Sequence, residues 1–281
     1  MLKSLLQTEK TILIPGAFDA LSALIAKQAG FKALYMTGFG VAGSLLAKPD
    51  IGLVTASEMV TRASQIVDAL GSTPLIADGD NGHGGIHNVA RLVNAYEKAG
   101  VQCIQLEDQV IPKRCGHMNN KEVVGLQEAT AKISTAVEVR KSDNFLIAAR
   151  TDSRAEHGLD EALRRGDAFL NAGADILFIE APQSVREMQK IKTEFPEAYL
   201  IANIVEGGQT PELNFDEVAE IGFKIILRPI SALLAVSNTL KDCYSAMLNS
   251  NQTSPPKTGF EEYNKMIGLD NFEQAKKPLY E

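Results

Sequence analysis

Val89-Ala90-Arg91-Leu92-Val93-Asn94-Ala95-Tyr96-Glu97-Lys98-Ala99-Gly100-Val101-Gln102-Cys103-Ile104-Gln105-Leu106-Glu107-Asp108 carries one complete unit of the fold in a single run. Val89, Leu92, Val93 and Tyr96 recur at spacings of three and four, which marks one face of an α-helix. Gly100 stands where that helix should close, because glycine enters the left-handed C-cap conformation without a Cβ penalty. A short strand, Gln102 to Leu106, follows at once and stops at two carboxylates, Glu107 and Asp108.

The unit repeats. Ala29-Gly30-Phe31, Ala99-Gly100-Val101 and Ala172-Gly173-Ala174, with the variant Ile221-Gly222-Phe223, lead into strands at Ala33 to Met36, Gln102 to Leu106, Asp175 to Ile179 and Lys224 to Leu227. Thr11 to Ile14, Pro74 to Ala77, Phe145 to Ala149 and Tyr199 to Ala202 bring the predicted strands to eight. Short strands alternating with amphipathic helices imply a parallel sheet. An open doubly wound sheet uses the same alternation, but eight repeats without a G-x-G-x-x-G after the first strand favour a (β/α)8 TIM barrel of the α/β class. The barrel is expected over residues 1–248, with 249–281 as a C-terminal linker and helical extension of the same domain. Phe260, Tyr263, Met266, Ile267 and Phe272 on that extension need a surface to bury against, either their own barrel or a partner.

At 281 residues the chain can bury a sizeable core, as one large domain or two small ones. A net charge of -7 with no long basic run argues against nucleic acid and leaves an anionic substrate to local cations or a metal. No apolar run reaches the roughly 18 residues of a membrane span. Met1 to Lys10 lacks the apolar core of a signal peptide, so a cytoplasmic protein with no membrane partner is expected. Cys103, Cys115 and Cys243 form no C-x-x-C pair, which suggests neither a disulfide framework nor a structural zinc site. Cys103 lies in a strand and is assigned to the core.

A barrel demands that catalytic side chains sit just beyond the carboxyl ends of its strands. Phe18 and Asp19, Thr37 to Gly40, Asp78 to Asp80, Glu107 and Asp108, Arg150 to Asp152, Glu180, Asn203 and Glu206, then Arg228 and Ser231 meet that demand around nearly the whole ring. Asp78 and Asp80 are two apart, so their carboxylates can lean to one side. With Glu107 from the next strand and Asp50 from the loop after the second, four carboxylates can converge on one point. Such oxygen ligands suit magnesium, or manganese, rather than zinc. The alternative is that Asp78 and Asp80 cap the helix near Ile86 or pair with Arg150.

Lys113-Arg114-Cys115-Gly116-His117 sets a thiol among three potentially cationic side chains. Nearby cations lower a thiol's pKa, which makes Cys115 a candidate acid or nucleophile; the alternative is an exposed basic loop. His117 shares the turn and can hold a substrate carboxylate or tune the thiol. His83 and His87 have the i, i+4 spacing of a zinc pair, but Gly84 and Gly85 interrupt any helix between them. His157 precedes Gly158 in a loop and is expected to be solvated. Gly82 to Gly85 lacks the ending of a P-loop and reads as a turn that admits close approach of substrate.

Taken together, Thr37-Gly38-Phe39-Gly40 with Pro49-Asp50, Asp78-Gly79-Asp80-Asn81-Gly82, Gln105-Leu106-Glu107-Asp108-Gln109 and Lys113-Arg114-Cys115-Gly116-His117 resemble the isocitrate lyase and phosphoenolpyruvate mutase superfamily. Ala148-Ala149-Arg150-Thr151-Asp152, Glu180-Ala181-Pro182 and Asn203-Ile204-Val205-Glu206-Gly207-Gly208 extend the resemblance over nearly the whole chain. The K-R-C-G-H string is similar to the lyase branch, and within it to the short lyases that act on 2-methylisocitrate, 2,3-dimethylmalate and other 2-alkylmalates.

The resemblance implies a Mg2+ site at Asp78 and Asp80, with Asp50 and Glu107 around the ion. It implies that Thr37, Gly38 and Phe39 hold the 2-oxo acid half, that Tyr35 stands near the reacting oxygen, and that Cys115 donates a proton. Arg150 then faces the developing oxyanion. Gly116, His117, Glu180, Asn203 and Ser231 fall at pocket positions. The implied activity is cleavage of a carboxylate substrate to a 2-oxo acid such as pyruvate plus propionate or succinate. Oxaloacetate hydrolysis or decarboxylation and phosphonopyruvate chemistry are the enzymatic alternatives, and a barrel without catalysis would lack the ligands or the thiol present here. Phe39 stands where methylisocitrate lyases often have glycine, and His83 where Tyr or Phe is usual. With the Glu180-Ala181-Pro182 and Glu206-Gly207-Gly208 strings, these departures lean toward a dimethylmalate-type substrate. The superfamily also exchanges a late helix between subunits, which implies a homo-oligomer built as a dimer of dimers.

Overall fold

The computed structural model describes residues 1–118, 120–250 and 258–273. In its first part α1 (Leu2–Thr8) precedes β1 (Ile12–Ala17), α2 (Ala20–Gln28), β2 (Leu34–Met36), α3 (Gly38–Leu46), α4 (Ala56–Leu70), β3 (Leu75–Asp78) and α5 (Ile86–Lys98). Then follow β4 (Cys103–Glu107), α6 (Leu126–Val139), β5 (Leu146–Thr151), α7 (Arg154–His157), α8 (Leu159–Asn171), β6 (Ile176–Ile179) and α9 (Val185–Glu194). The last elements are β7 (Tyr199–Asn203), α10 (Phe215–Ile221), β8 (Ile225–Arg228), α11 (Ser231–Ser250) and α12 (Phe260–Met266). The strands close in sequence order into a parallel barrel in which β8 pairs with β1, as the repeat predicts.

The Ala-Gly hinges do what their sequence requires. Gly30, Gly100 and Gly173 have φ of +96°, +88° and +95°. In each case the next residue donates back across the turn: Phe31 to Ala26 (3.3 Å), Val101 to Tyr96 (3.1 Å) and Ala174 to Phe169 (3.1 Å). That bond fills an orphan helix carbonyl and turns the chain into the following strand. Several strands run past their predicted ends, because the polar residues there still ladder: Asp78 stands opposite Gln105, and Glu107 opposite Arg150.

Period-two alternation then sorts the core. Ile76, Cys103, Leu146, Ala148, Ile176, Phe178 and Ile201 point into the barrel, where Leu2 and Leu6 of α1 join them. Ala77, Ile104, Leu106, Ile147, Ala149 and Leu177 point outward and pack with the helices. Carried up each strand, the inward parity leads to Asp78, Glu107, Arg150, Glu180 and Asn203, all buried. The same alternation that builds the core therefore lifts the charged residues into the barrel mouth.

The chain divides into two compact units, Met1–Leu233 and Leu234–Glu281. The first contains the barrel. Within the second, α11 and α12 carry exposed Leu240, Tyr244, Leu248, Phe260 and Phe272. Among the described residues no helix is long and apolar enough to cross a membrane.

Candidate active site

A cavity of about 180 Å³ opens at the carboxyl end of the barrel, lined by Tyr35, Thr37, Phe39, Asp50, Asp78, Glu107, Lys113, Cys115, His117, Arg150, Glu180 and Asn203 among others. Asp78 is its fixed point. The Gly38 N–H donates to its Oδ2 (3.2 Å), and the Asp80 N–H (3.0 Å) and Gln105 Nε2 (3.3 Å) donate to its Oδ1. An ideal Cβ on Gly38 would lie 2.6 Å from Asp78 Oδ2 and 3.3 Å from Asp80 Oδ1, so both carboxylates face that glycine. Asp80 holds a left-handed φ of +48°, a cost of about 1 kcal/mol or more that a non-glycine residue bears where the site over-determines it. Tyr35 donates its hydroxyl to Gln105 Oε1 (2.8 Å), and burial, then the charge of Asp78, raises its pKa well above the usual value.

Lys113 enters the cluster expected of the four carboxylates. Lys113 Nζ sits between Asp50 (2.6 Å) and Asp80 (2.7 Å), and among the described residues no group of three or more His, Cys, Asp and Glu is arranged as a ready metal cage. The loop lysine expected to act on the neighbouring thiol is thus buried in the acidic cluster. Burial works against its charge, but Asp80, Asp50, Glu107 and Asp78 overcome it and hold the amine protonated. The cluster still asks for cations. Burial, then the charge of Asp80, pushes the Asp78 carboxyl up to about 6, and Glu107 Oε1 is buried without a hydrogen-bond partner. Hard oxygen donors in excess of the local positive charge fit a divalent cation. Neither alternative role of the aspartates is found: α5 is capped at Gly85 without a side-chain bond, and the partners of Arg150 lie elsewhere. His83 and His87 do not share a helix, since α5 starts at Ile86.

Arg150 is held on three sides. Its Nε and Nη2 bond Asp152 (2.9 and 3.0 Å), Nη2 meets Glu180 (3.3 Å), Nη1 meets Glu107 (3.6 Å), and the group lies 5.1 Å over the Phe178 ring. Burial alone would raise the Glu180 carboxyl, but Arg150 and then His117 bring it down to about 2. The Gln209 N–H donates to His117 Nδ1 (3.0 Å), which leaves the ring proton on Nε2, facing Glu180 Oε1 at 3.2 Å. Asn203 Nδ2 donates to both Glu180 oxygens (3.3 and 3.2 Å) and leaves its own buried Oδ1 unpartnered.

The thiol loop folds over this arginine. Gly116 has no room for a side chain, because a Cβ would lie 2.2 Å from Arg150 Nη2. The cations of the loop do not depress the thiol. Burial pushes Cys115 up to about 11, the backbone N–H of His117 working against it, because Lys113 is turned to Asp50 and Asp80. Cys115 is therefore a protonated thiol, fit to give a proton rather than to attack as a thiolate. Thr37 lines the cavity while its hydroxyl accepts from Gly40 N–H (3.3 Å) as the cap of α3. Ser231 is not brought into the lining. Its hydroxyl bonds Glu206 at the start of α11. Asp152 stands in the expected polar ring without an assigned partner, and Gln105 has no role there, though inward strand parity is the signal that could have found it.

Residues 2–248 match the phosphoenolpyruvate phosphomutase family. The chain belongs to that family. This phosphomutase-family barrel is 44% identical over 277 residues to the 2,3-dimethylmalate lyase of Eubacterium barkeri, covering 98% of this chain and 95% of that one. It is 37% identical over 245 residues to the 2-methylisocitrate lyase of Bacillus subtilis, covering 87% and 80%. A solved oxaloacetate acetylhydrolase in complex with the inhibitor 3,3-difluorooxalacetate superposes with a TM-score of 0.95 at 31% identity, covering 99% of this chain and 95% of that one. The chain is thus an enzyme of the phosphoenolpyruvate mutase and isocitrate lyase superfamily, whose relatives here include carbon–carbon lyases.

Proposed function

We propose that the chain is a magnesium-dependent lyase that cleaves 2,3-dimethylmalate, or a close 2-alkylmalate, to pyruvate and a short carboxylate such as propionate. The observation that carries this reading is the lining of the cavity. Its charged part, Asp50, Asp78, Glu107, Lys113 and Arg150, meets an apolar part formed by Phe39, Val205, Leu227, Pro229 and Ile230. Lys113 and Arg150 also serve protein carboxylates, and Arg114 is an exposed cation of the lining. That balance supports a dicarboxylate with small alkyl groups over a tricarboxylate.

Asp78 and Asp80, with Asp50 and Glu107, would hold the divalent cation, which supplies Lewis acidity that lowers the pKa of the substrate's 2-hydroxyl. Arg150 would face the charge that develops on the departing group as the C2–C3 bond breaks, and the carboxylates that fix its geometry would spare reorganisation at that moment. The proton lost from the 2-hydroxyl passes to solvent as the C2–C3 electron pair goes to C3; Cys115 gives its S–H proton to C3, which makes propionate, and the thiolate takes a proton back from solvent once the loop opens. His117, Glu180 and Asn203 form one hydrogen-bonded group that fixes the wall of the cavity and holds Arg150 in place. Tyr35 keeps its proton and can donate to the reacting oxygen.

The test is a screen of 2,3-dimethylmalate, 2-ethylmalate, 2-methylisocitrate, oxaloacetate and phosphonopyruvate with Mg2+ or Mn2+, following 2-oxo acid or oxalate release. Cys115→Ser should lower turnover of the cleaved compound about 10²- to 10⁴-fold. Pyruvate from a dimethylated malate is the expected result. Oxalate and acetate from oxaloacetate is the second reading, favoured by the TM-score of 0.95 to the acetylhydrolase, and it would replace the first. The exposed apolar side chains of α11 and α12 support assembly with further copies, to be read by sedimentation, where a concentration-independent monomer would overturn it.

A further inference from the structure

Lys121 lies outside the residues assigned so far, in the returning limb of the thiol loop. The loop is pinched at its neck: the Val110 N–H donates to the Glu122 carbonyl (3.0 Å), the Val124 N–H to the Asp108 carbonyl (2.8 Å), and Gln109 bridges Val123. Just above that neck the Lys121 side chain turns inward and is only 1% exposed. Its ammonium donates to the Gly116 carbonyl and to Asp152 Oδ1, the latter at 2.9 Å.

An ammonium this deep is tolerated only where its charge is met and its donors are used. Asp152 meets the charge. The same carboxylate takes the two bonds from Arg150 described above, and Arg150 Nη2 is the atom that lies against Gly116. One buried cation therefore ties the main chain beside Cys115 to the counter-ion that orients the arginine. The other ties of the loop lead away from Asp152: Gln109 holds the Arg114 backbone (2.8 and 2.9 Å), the Cys115 N–H donates to the Asp50 carbonyl (3.1 Å), and His117 meets Gln209.

We propose that Lys121 is a positioning residue that latches the thiol loop, clamping Gly116 to Asp152 so that Cys115 is held over the cavity only while Arg150 is in place. When the loop lifts, Lys121 gives up the Gly116 carbonyl and keeps Asp152, so the charge stays neutralised in both positions. The latch does not depend on which carbon–carbon bond the enzyme cuts.

The test uses the full-length protein without substrate, so it is separate from the lyase reading. Cys115 and Cys103 alkylation by iodoacetamide is followed by peptide mass spectrometry at one pH in wild type, K121M and K121R. Cys103 is fully buried in β4 and reports opening of the fold. In K121M the Cys115 rate should rise at least tenfold with Cys103 unmodified, and in K121R it should return to within threefold of wild type. Loss of a cation by itself would disfavour the thiolate and slow alkylation, so a rise reports access. An unchanged Cys115 rate in K121M overturns the proposal. If K121M also exposes Cys103, K121Q is read by the Cys115 to Cys103 ratio, where a tenfold increase supports the latch and no increase overturns it.

Discussion

Cys115 offers a quantitative test of the chemistry, because cations adjacent in the sequence and burial in the structure push its pKa in opposite directions. With the thiol at about 11 rather than 9.0, the thiolate fraction at pH 8 is about 1 in 10³ instead of about 1 in 10. A more basic thiolate is also a better nucleophile, and a Brønsted coefficient of about 0.4–0.5 returns roughly tenfold of that hundredfold deficit. Alkylation by iodoacetamide at pH 8 should therefore run about tenfold slower than for an ordinary thiol of equal access. The stronger signature is the pH profile. Access sets the height of the plateau and ionisation sets its midpoint, so brief pulses between pH 7 and 10.5 should give a rate still rising with unit slope at pH 10. A midpoint at or below about 9 would falsify the argument. It would mean that Arg150 and the loop cations outweigh desolvation, and Cys115 would then be a candidate nucleophile rather than an acid.

Gly116→Ala places a methyl 2.2 Å from Arg150 Nη2 and 2.8 Å from Glu180, so loop or arginine must shift by about 1 Å; turnover should fall about 10²-fold with little change in melting temperature, and a loss under threefold would refute the close approach. Asp78→Asn removes the charge fixed by Gly38, Asp80 and Gln105 and should weaken Mg2+ binding in calorimetric titration by roughly 10- to 100-fold, whereas unchanged affinity would exclude Asp78 as a ligand. Glu180 is an acid whose pKa is depressed on folding, from 4.5 to about 2, so its stabilisation is present above pH 4.5 and is lost as pH falls toward 2. The stability gap between wild type and Glu180→Gln, read by urea midpoints, should close by about 3 kcal/mol across that window, and a gap independent of pH would contradict the ion pair with Arg150.

Much of the ring at the barrel mouth was legible because its cause is local. An alternation of two residues carries Ile76 to Asp78, Cys103 through Gln105 to Glu107, and Leu146 through Ala148 to Arg150, and no distant contact is needed to predict which way they face. The left-handed glycines after α2, α5 and α8 are equally local. Ser231 misled because a polar residue beyond a strand end also starts a helix, and its hydroxyl serves Glu206 there. Lys113 misled in the other direction. In the sequence it is one cation beside a thiol, while in the structure its long side chain reaches Asp50 and Asp80 and leaves the thiol to burial.

By itself, then, the sequence determined the eight-stranded barrel, the parity that points carboxylates and an arginine into its mouth, and the family resemblance carried by its motifs. Those follow from short-range periodicity and backbone chemistry. Only the tertiary structure decided that Lys113 lies among the acidic groups, that Lys121 and Asp152 join the loop to Arg150, and that Cys115 keeps its proton. Pairing and desolvation are set by which groups meet across the barrel mouth and by how much water they lose, and neither is a property of residue spacing.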